Sequence, residues 1–313
     1  MQNNKKMIFF TCNLVLIFII SLFAHLARPI NTSQVVFIPQ GGTSEIISYL
    51  SSRNFNISTI DKYVLVLIGH VQAGWVQIGY TRLSKLDFLY KLTKAKAAMR
   101  DITLLPGETS EYFLYEISKN MGLNYTKLLS QLHTSAPIKE GFLVPETYKI
   151  PLGISESHFI YYLVNLSKKA HEDRAKKIFG AFDEKRWYEY IIIASIIQKE
   201  AANEVEMPLV ASVIYNRLKK GMPLQMDGTL NYGLHSHERI TAARIKSDNS
   251  RYNTYKYAGL PSNAICNPSL AAIKAAIFPK KSDYLYFVRD KATGVHKFSV
   301  SYDQHTKAVN KNK

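Results

Sequence analysis

Residues 187–202 read WYEYIIIASIIQKEAA. From Tyr190 to Ile197 the run is apolar on nearly every side at helical spacing, which describes a helix through the middle of a core. The apolarity stops at Gln198-Lys199-Glu200. A carboxyl placed where a buried helix emerges has its pKa raised by desolvation. A carboxyl still protonated near neutrality is what a general acid requires. Glu200 therefore reads either as a general acid or as the solvated end of a helix. Downstream, Asn216 and Arg217 interrupt the apolar face made by Leu209, Val210, Val213, Ile214 and Leu218. They read as ligands or as a capping and solvent pair. The loop GMPLQMDGTLNYG over 221–233 sets polar groups between apolar and aromatic walls. That suits a saccharide, with hydroxyls at its edges and C–H faces for stacking, and it also suits an ordinary surface loop. Other chemistries lack their motifs: there is no GxSxG elbow, HExxH, P-loop or paired CxxC. His235-Ser236-His237-Glu238 carries donor atoms, but nothing nearby completes a ligand set, so neither metal nor cofactor is expected.

These groups need elements to hold them. Pro208 suits the first turn of a helix and Gly221 the position just after its end. Asp183 can cap the helix that carries Glu200, and Gly153-Ile154-Ser155 leads into an earlier helix from about Glu156 to Phe179. Further upstream a unit is repeated. Ile38-Pro39-Gln40-Gly41-Gly42-Thr43-Ser44-Glu45 parallels Leu105-Pro106-Gly107-Glu108-Thr109-Ser110-Glu111. Each is an apolar stretch, a Pro/Gly turn and Thr-Ser-Glu before an amphipathic helix. Thr43 and Thr109 suit N-caps, and Glu45 and Glu111 favour the positive end of the helix dipole. Tyr63 to Ile68 suits a buried strand, and Phe88 to Met99 a further helix. The strand–turn–helix pattern resembles LysM-type glycan-binding units; the plainer reading is a βα repeat that simply packs.

The chain has 313 residues and a formal net charge of +16. Residues 8–24, IFFTCNLVLIFIISLFA, extended to Ala27, approach the roughly 17–25 residues that cross a bilayer. Lys5 and Lys6 precede the run and no acid comes before Glu45, so the start should stay in the cytoplasm and the remainder lie outside. A cleaved signal peptide is the alternative, but His25 would occupy a position where a small residue is wanted. The two cysteines, Cys12 and Cys266, would be kept apart by the membrane. The positive charge points to an anionic partner. Its scattered lysine pairs lack any zinc-finger, RNP or helix-turn-helix signature, so nucleic acid is not expected.

The motifs then fall into a known order. Ala194-Ser195-Ile196-Ile197-Gln198-Lys199-Glu200, Val210 to Leu218, Gly221-Met222-Pro223-Leu224-Gln225 with Asp227, Thr229 and Tyr232-Gly233, Tyr252-Asn253-Thr254-Tyr255, Gly259-Leu260-Pro261, Asn267-Pro268, and His296, Phe298 and His305 resemble, collinearly, the endolytic murein transglycosylases of the MltG or YceG-like family. The segment Glu140 to Tyr148 has a counterpart there too. The chain departs from the pattern at Gly228 and Arg251, where Pro is usual, and at Ser269, where Gly is usual. The resemblance implies an α+β protein: a cytoplasmic tail (1–7), a transmembrane anchor (8–27), a LysM-like and connecting region (33–150) and a mixed helix/strand catalytic domain (151–313). It implies a lytic transglycosylase of peptidoglycan glycan strands in the cytoplasmic (inner) membrane. Glu200 is its catalytic acid, with Gln225, Asn253, Tyr255, Asn216 and Tyr232 as substrate contacts. It also implies work beside peptidoglycan synthases. The rival reading is a non-enzymatic, membrane-anchored wall-binding scaffold.

Overall fold

The computed structural model describes residues 2–311. Met1, which opens the expected tail, and Asn312 and Lys313, which close the expected catalytic segment, lie outside them. The chain is α+β and divides into two compact units, residues 1–100 with 149–153, and 101–148 with 154–313.

The first unit opens with α1 (Gln2–Leu26), a helix long and apolar enough to cross a membrane. Then come β1 (Pro29–Asn31), β2 (Val35–Ile38), α2 (Thr43–Ser52), α3 (Thr59–Ile68), β3 (Gly74–Gln77), β4 (Arg82–Ser84) and α4 (Lys85–Lys94). β1 pairs antiparallel with β4, and β2 with β3, so α2 and α3 are the connection inside a β–α–α–β unit. Ile38, Ile46, Leu50, Leu65, Val76 and Phe88 belong to one buried cluster.

Three local expectations need correction. Thr43 is the first helical residue of α2 and Gly42 is its N-cap, with the Gly42 amide donating to Glu45 Oε2 at 2.9 Å. Tyr63 to Ile68 is not a strand but the second half of α3. Ser58 and Asp61 form a capping box, the Ser58 amide donating to Asp61 Oδ2 at 2.7 Å, and Gly69 ends the helix. Caps spaced by one helix length override the β-branched run between them. Finally, the helix expected to Met99 ends at Lys94, because the next residues pair with β3: the Gln77 amide donates to the Lys96 carbonyl at 2.9 Å and the Ala98 amide to the Trp75 carbonyl at 2.8 Å.

Next in the chain, β5 (Met99–Thr103) pairs with β6 (Thr147–Pro151). The second unit adds α5 (Ser110–Met121) and α6 (Tyr125–Ser135) before β6. After it come α7 (Glu156–Phe179), α8 (Glu184–Glu200), α9 (Met207–Lys219), α10 (Ala242–Ser247), α11 (Leu270–Ile277), β7 (Tyr286–Arg289), β8 (His296–Ser299) and α12 (Tyr302–Lys311). Helix α7 has the expected bounds, and Asp183 caps α8 by accepting from the Arg186 amide at 3.1 Å. Thr109 caps α5 as expected, accepting from Tyr112 N.

Helix α8 is the axis of this unit. Ile191, Ile193, Ala194, Ile196 and Ile197 are all buried, and α9 and α11 pack along it. Near its start, Trp187 Nε1 donates to His171 Nδ1 at 3.1 Å, and His171 Nε2 donates to the Phe142 carbonyl at 2.8 Å. That network assigns the imidazole as neutral, and burial pushes its pKa down to about 4.

Candidate active site

The last three residues of α8 leave the core in three directions. Gln198 Oε1 accepts from the Ser269 amide at 3.0 Å, fixing the start of α11. Lys199 Nζ donates to Ser236 Oγ at 3.3 Å. Glu200 Oε1 accepts from the Gly228 amide at 2.8 Å. Burial pushes the Glu200 carboxyl up to about 7; the Gly228 hydrogen bond opposes this and the nearby Asp227 charge adds to it. A carboxyl poised near neutrality has both its acid and its base form available, as a proton-transfer group needs.

Gly228 is where this chain departs from the Pro its motif leads one to expect. Proline has no N–H, so the hydrogen bond to Glu200 depends on the departure. The approach is also close: a Cβ on Gly228 would lie 2.7 Å from Lys199 Cβ and 2.9 Å from Glu200 Oε1.

Glu200 lines a cleft of about 510 Å³ together with Arg217, Gln225, Tyr255, Tyr286 and His305. Arg217 holds its wall. Its Nε donates to the Leu285 carbonyl at 2.7 Å and its Nη1 to the Leu224 and Pro223 carbonyls at 2.8 and 3.1 Å, while its guanidinium lies over the Tyr286 ring. One planar fork thus ties the start of β7 to the loop after α9. The next residue in that loop, Gln225, has φ +52°, a left-handed conformation that costs a side-chain-bearing residue energy and that a supporting shell has to hold. Tyr255 Oη donates to Asp227 Oδ1 at 2.7 Å. Asp227 therefore stands beside Glu200 with a hydroxyl fixed to it.

Of the residues expected to meet substrate, Gln225 and Tyr255 line this cleft and the other three do not. Asn253 is fully buried. Its Nδ2 donates to the Ile245 and Asp248 carbonyls at 2.8 Å each, and its Oδ1 accepts from the Tyr255 amide, so its side chain shapes the Tyr255 turn. Asn216 Nδ2 donates to the Ser282 and Tyr284 carbonyls at 2.8 and 2.9 Å and borders a separate depression with Tyr215 and Lys280. Tyr232 stacks on Tyr252 with centroids 4.3 Å apart and donates to Asp248.

The structure adds Asp227, Tyr286 and His305 to the site. In the sequence Asp227 stands within its motif with nothing to mark a role for it. His305 comes from α12, stacks on Tyr286 and has a Nδ1 that is buried without a hydrogen-bond partner among the described residues. Burial and the Arg217 charge lower its pKa. Among the described residues no group of three or more His, Cys, Asp or Glu side chains is placed to hold a metal ion. His235 and His237 instead meet Glu238 and Glu108.

Comparison with known proteins gives a consistent picture. The YceG-like family model matches residues 36–311. The endolytic murein transglycosylase of Bacillus subtilis (strain 168) is 27% identical over 325 residues, covering 93% of this chain and 88% of the relative. That of Streptococcus pneumoniae serotype 2 is 31% identical over 221 residues, covering 64% of this chain and 39% of the relative. A crystal structure of a putative yceG-like protein from Listeria monocytogenes superposes with a TM-score of 0.56 at 27% identity, covering 88% of this chain and 99% of that one.

Proposed function

The chain belongs to the YceG-like family, and on that premise we propose that it cuts peptidoglycan glycan strands from the membrane surface, with Glu200 as the proton-transfer group. It is a lytic transglycosylase, the activity named for its relatives. The observation that carries the site assignment is Glu200 at the wall of an open cleft, with its pKa brought to about 7 by burial.

The bond cut is that between N-acetylmuramic acid and N-acetylglucosamine. The protonated Glu200 carboxyl gives its proton to the glycosidic oxygen, the bond from that oxygen to the muramyl C1 breaks, and positive charge develops at C1. Asp227 and Tyr255 on the same wall supply negative charge and a fixed hydroxyl dipole where that charge forms. Glu200, now a carboxylate, takes the proton of the muramyl C6 hydroxyl. Its oxygen closes on C1 and leaves a 1,6-anhydro end. Protons balance over the cycle and no water enters. Because the nucleophile belongs to the substrate, its high effective molarity replaces a second carboxylate that would activate water.

The apolar length of α1 supports reading it as the anchor, and Lys5 and Lys6 support a cytoplasmic start, an orientation in which the cleft works outside the membrane on nascent strands. Cutting there limits strand length and fits work beside peptidoglycan synthases. The β–α–α–β order of β2, α2, α3 and β3 supports reading the first unit as LysM-like, a glycan-holding module.

The test is product analysis. Purified full-length protein and its Glu200→Gln variant are incubated with uncrosslinked glycan strands and the fragments weighed by mass spectrometry. Wild type should release anhydro-ended fragments and the variant none. Reducing ends carrying an added water would refute the intramolecular step and make Asp227 the base that activates water. An active Glu200→Gln variant would remove Glu200 from the chemistry.

A further inference from the structure

Helix α1 passes into the first unit almost without a linker. It ends at Leu26 and β1 begins at Pro29. Leu26 and Pro29 are three Cα steps apart, at most about 11 Å if extended. The Ala27 amide donates to the Phe23 carbonyl at 2.9 Å and the Arg28 amide to the His25 carbonyl at 3.4 Å, so the chain is still turning there. The span stays on the scale of the polar layer on one side of a bilayer, about 5–8 Å. The junction is also pinned. His25, in the last turn of α1, meets Asp61 of α3 at 2.9 Å, and Lys85 Nζ at the start of α4 donates to the other oxygen of Asp61 at 3.1 Å. Asp61 is 0% exposed and Lys85 1%. Since either charge alone would be costly to bury, the arrangement holds one geometry. Helix α3 therefore lies one hydrogen bond from the end of the apolar helix.

The outer face of α3 is unusual for a protein surface in water. Ile60, Tyr63, Val66 and Leu67 are 54%, 65%, 62% and 86% exposed. Positions 60, 63 and 67 run along one side of the helix, and the buried Asp61 and Leu65 lie on the other. Helix α4, packed against α3, adds exposed Leu86 and Tyr90, one turn apart. Lysine accompanies the ridge: Lys62 Nζ lies 5.8 Å from the Tyr63 ring centroid, and Lys91 follows Tyr90 on α4. Aliphatic side chains flanked by tyrosine rings and lysine stems suit the headgroup boundary, where rings straddle the polar layer and ammonium groups reach toward water or anionic lipid.

We propose that this face of α3, extended by Leu86 and Tyr90 of α4, is a second membrane contact that lies in the lipid headgroup layer where α1 leaves the bilayer. The occupant is lipid because the short junction keeps α3 within that layer's thickness. The proposal rests on α1 spanning the membrane. The contact restrains the first unit against the bilayer, so that α1 acts as a fixed post and not as a tether.

The test uses the full chain in vesicles of zwitterionic and anionic phospholipid. Cys12→Ser leaves only the buried Cys266, and a nitroxide is attached at Leu67→Cys, at Tyr63→Cys or, within α1, at Phe18→Cys. Collision with oxygen and with a water-soluble nickel complex gives depth, calibrated on lipids labelled at known positions. Labels at 63 and 67 should read at the headgroup layer or deeper, with nickel collision several-fold below that of a label in water. Aqueous values at 63 and 67 with a deep label at 18 overturn the proposal and leave the anchor standing. An aqueous label at 18 as well overturns the anchor and the proposal together.

Discussion

Replacing Glu200 by Gln should abolish activity and at the same time stabilise the protein at alkaline pH. Gln has the shape of Glu, and its Oε1 can still accept from the Gly228 amide at 2.8 Å. What it loses is the ionisable proton. In the folded state the Glu200 carboxyl is pushed from its ordinary 4.5 to about 7, chiefly by burial. A carboxyl with a raised folded pKa favours folding fully below its unfolded pKa, and that contribution is lost as pH rises through the folded pKa. The difference between 4.5 and about 7 corresponds to about 3 kcal/mol. Wild type should therefore lose about that much between pH 4.5 and pH 8 through this group, and the variant should not. For a unit of this size 1 kcal/mol moves the melting temperature by about 2–4 °C, so at pH 8 the variant should melt roughly 6–12 °C higher. The advantage should vanish near pH 4.5. Thermal unfolding of both proteins at a series of pH values measures it directly. Groups common to both, Glu140 among them, cancel in the comparison. An equal or lower melting temperature for the variant at pH 8, or a gain that ignores pH, would refute the claim that Glu200 is held uncomfortably in its ionised form.

Gly228→Ala places a Cβ 2.7 Å from Lys199 Cβ and 2.9 Å from Glu200 Oε1; the displaced acid should cost about a hundredfold in kcat/KM, read by fragment release, and because Lys199 Cβ is fixed to its helix and cannot swing away, the melting temperature should fall as well. Lys85→Met leaves Asp61 charged and buried without its main cation and should destabilise the first unit by about 3–5 kcal/mol; Lys85→Met with Asp61→Leu should recover most of that in the same unfolding assay. His171 has a pKa lowered from 6.5 to about 4 by burial; its contribution is whole above 6.5 and falls away as pH drops through 4, so urea unfolding should show a loss of about 3 kcal/mol that is missing in His171→Asn.

Local signals in the sequence survive in the structure wherever one residue settles the matter. Ser155 and Gly180 bound α7, Thr109 caps α5, and the apolar run 190–197 is the buried α8. Residues 63–68 have the composition of a strand and are helical all the same, because Ser58, Asp61 and Gly69 punctuate a helix around them. Its apolar outer face remains exposed, which no soluble-core pattern anticipates. The site is harder to read. Glu200 is legible from the helix that ends there, yet the cleft around it is assembled from α9, the loop after it, β7 and α12. No spacing relates Glu200 to His305. Asn216 and Asn253 have the right chemistry for sugar hydroxyls, but backbone carbonyls left unpaired by irregular loops claim their amides first. Arg217, open to two readings in the sequence, is neither a solvated cap nor a plain ligand but the clamp on the cleft wall.

A raised pKa does not by itself identify the acid. Burial also pushes Glu140 up to about 7. Its carboxyl accepts from the Ser110 amide at 2.9 and 3.0 Å, from Ser110 Oγ at 2.8 Å and from the Gly141 amide at 2.8 Å. Gly141 is so enclosed that a Cβ there would lie 2.5 Å from Ala264 Cβ. No saccharide can approach such a group, and its donors tie the start of α5 to the segment before β6. Glu200 has the opposite surroundings. Its carboxyl accepts one hydrogen bond among the described residues and faces a cleft that also holds Asp227, Tyr255 and Arg217. Burial raises the affinity of both groups for a proton, but only at Glu200 is there room for something to exchange that proton with. Access, and the charge already waiting at Asp227, separate the carboxyl proposed as the acid from the structural one.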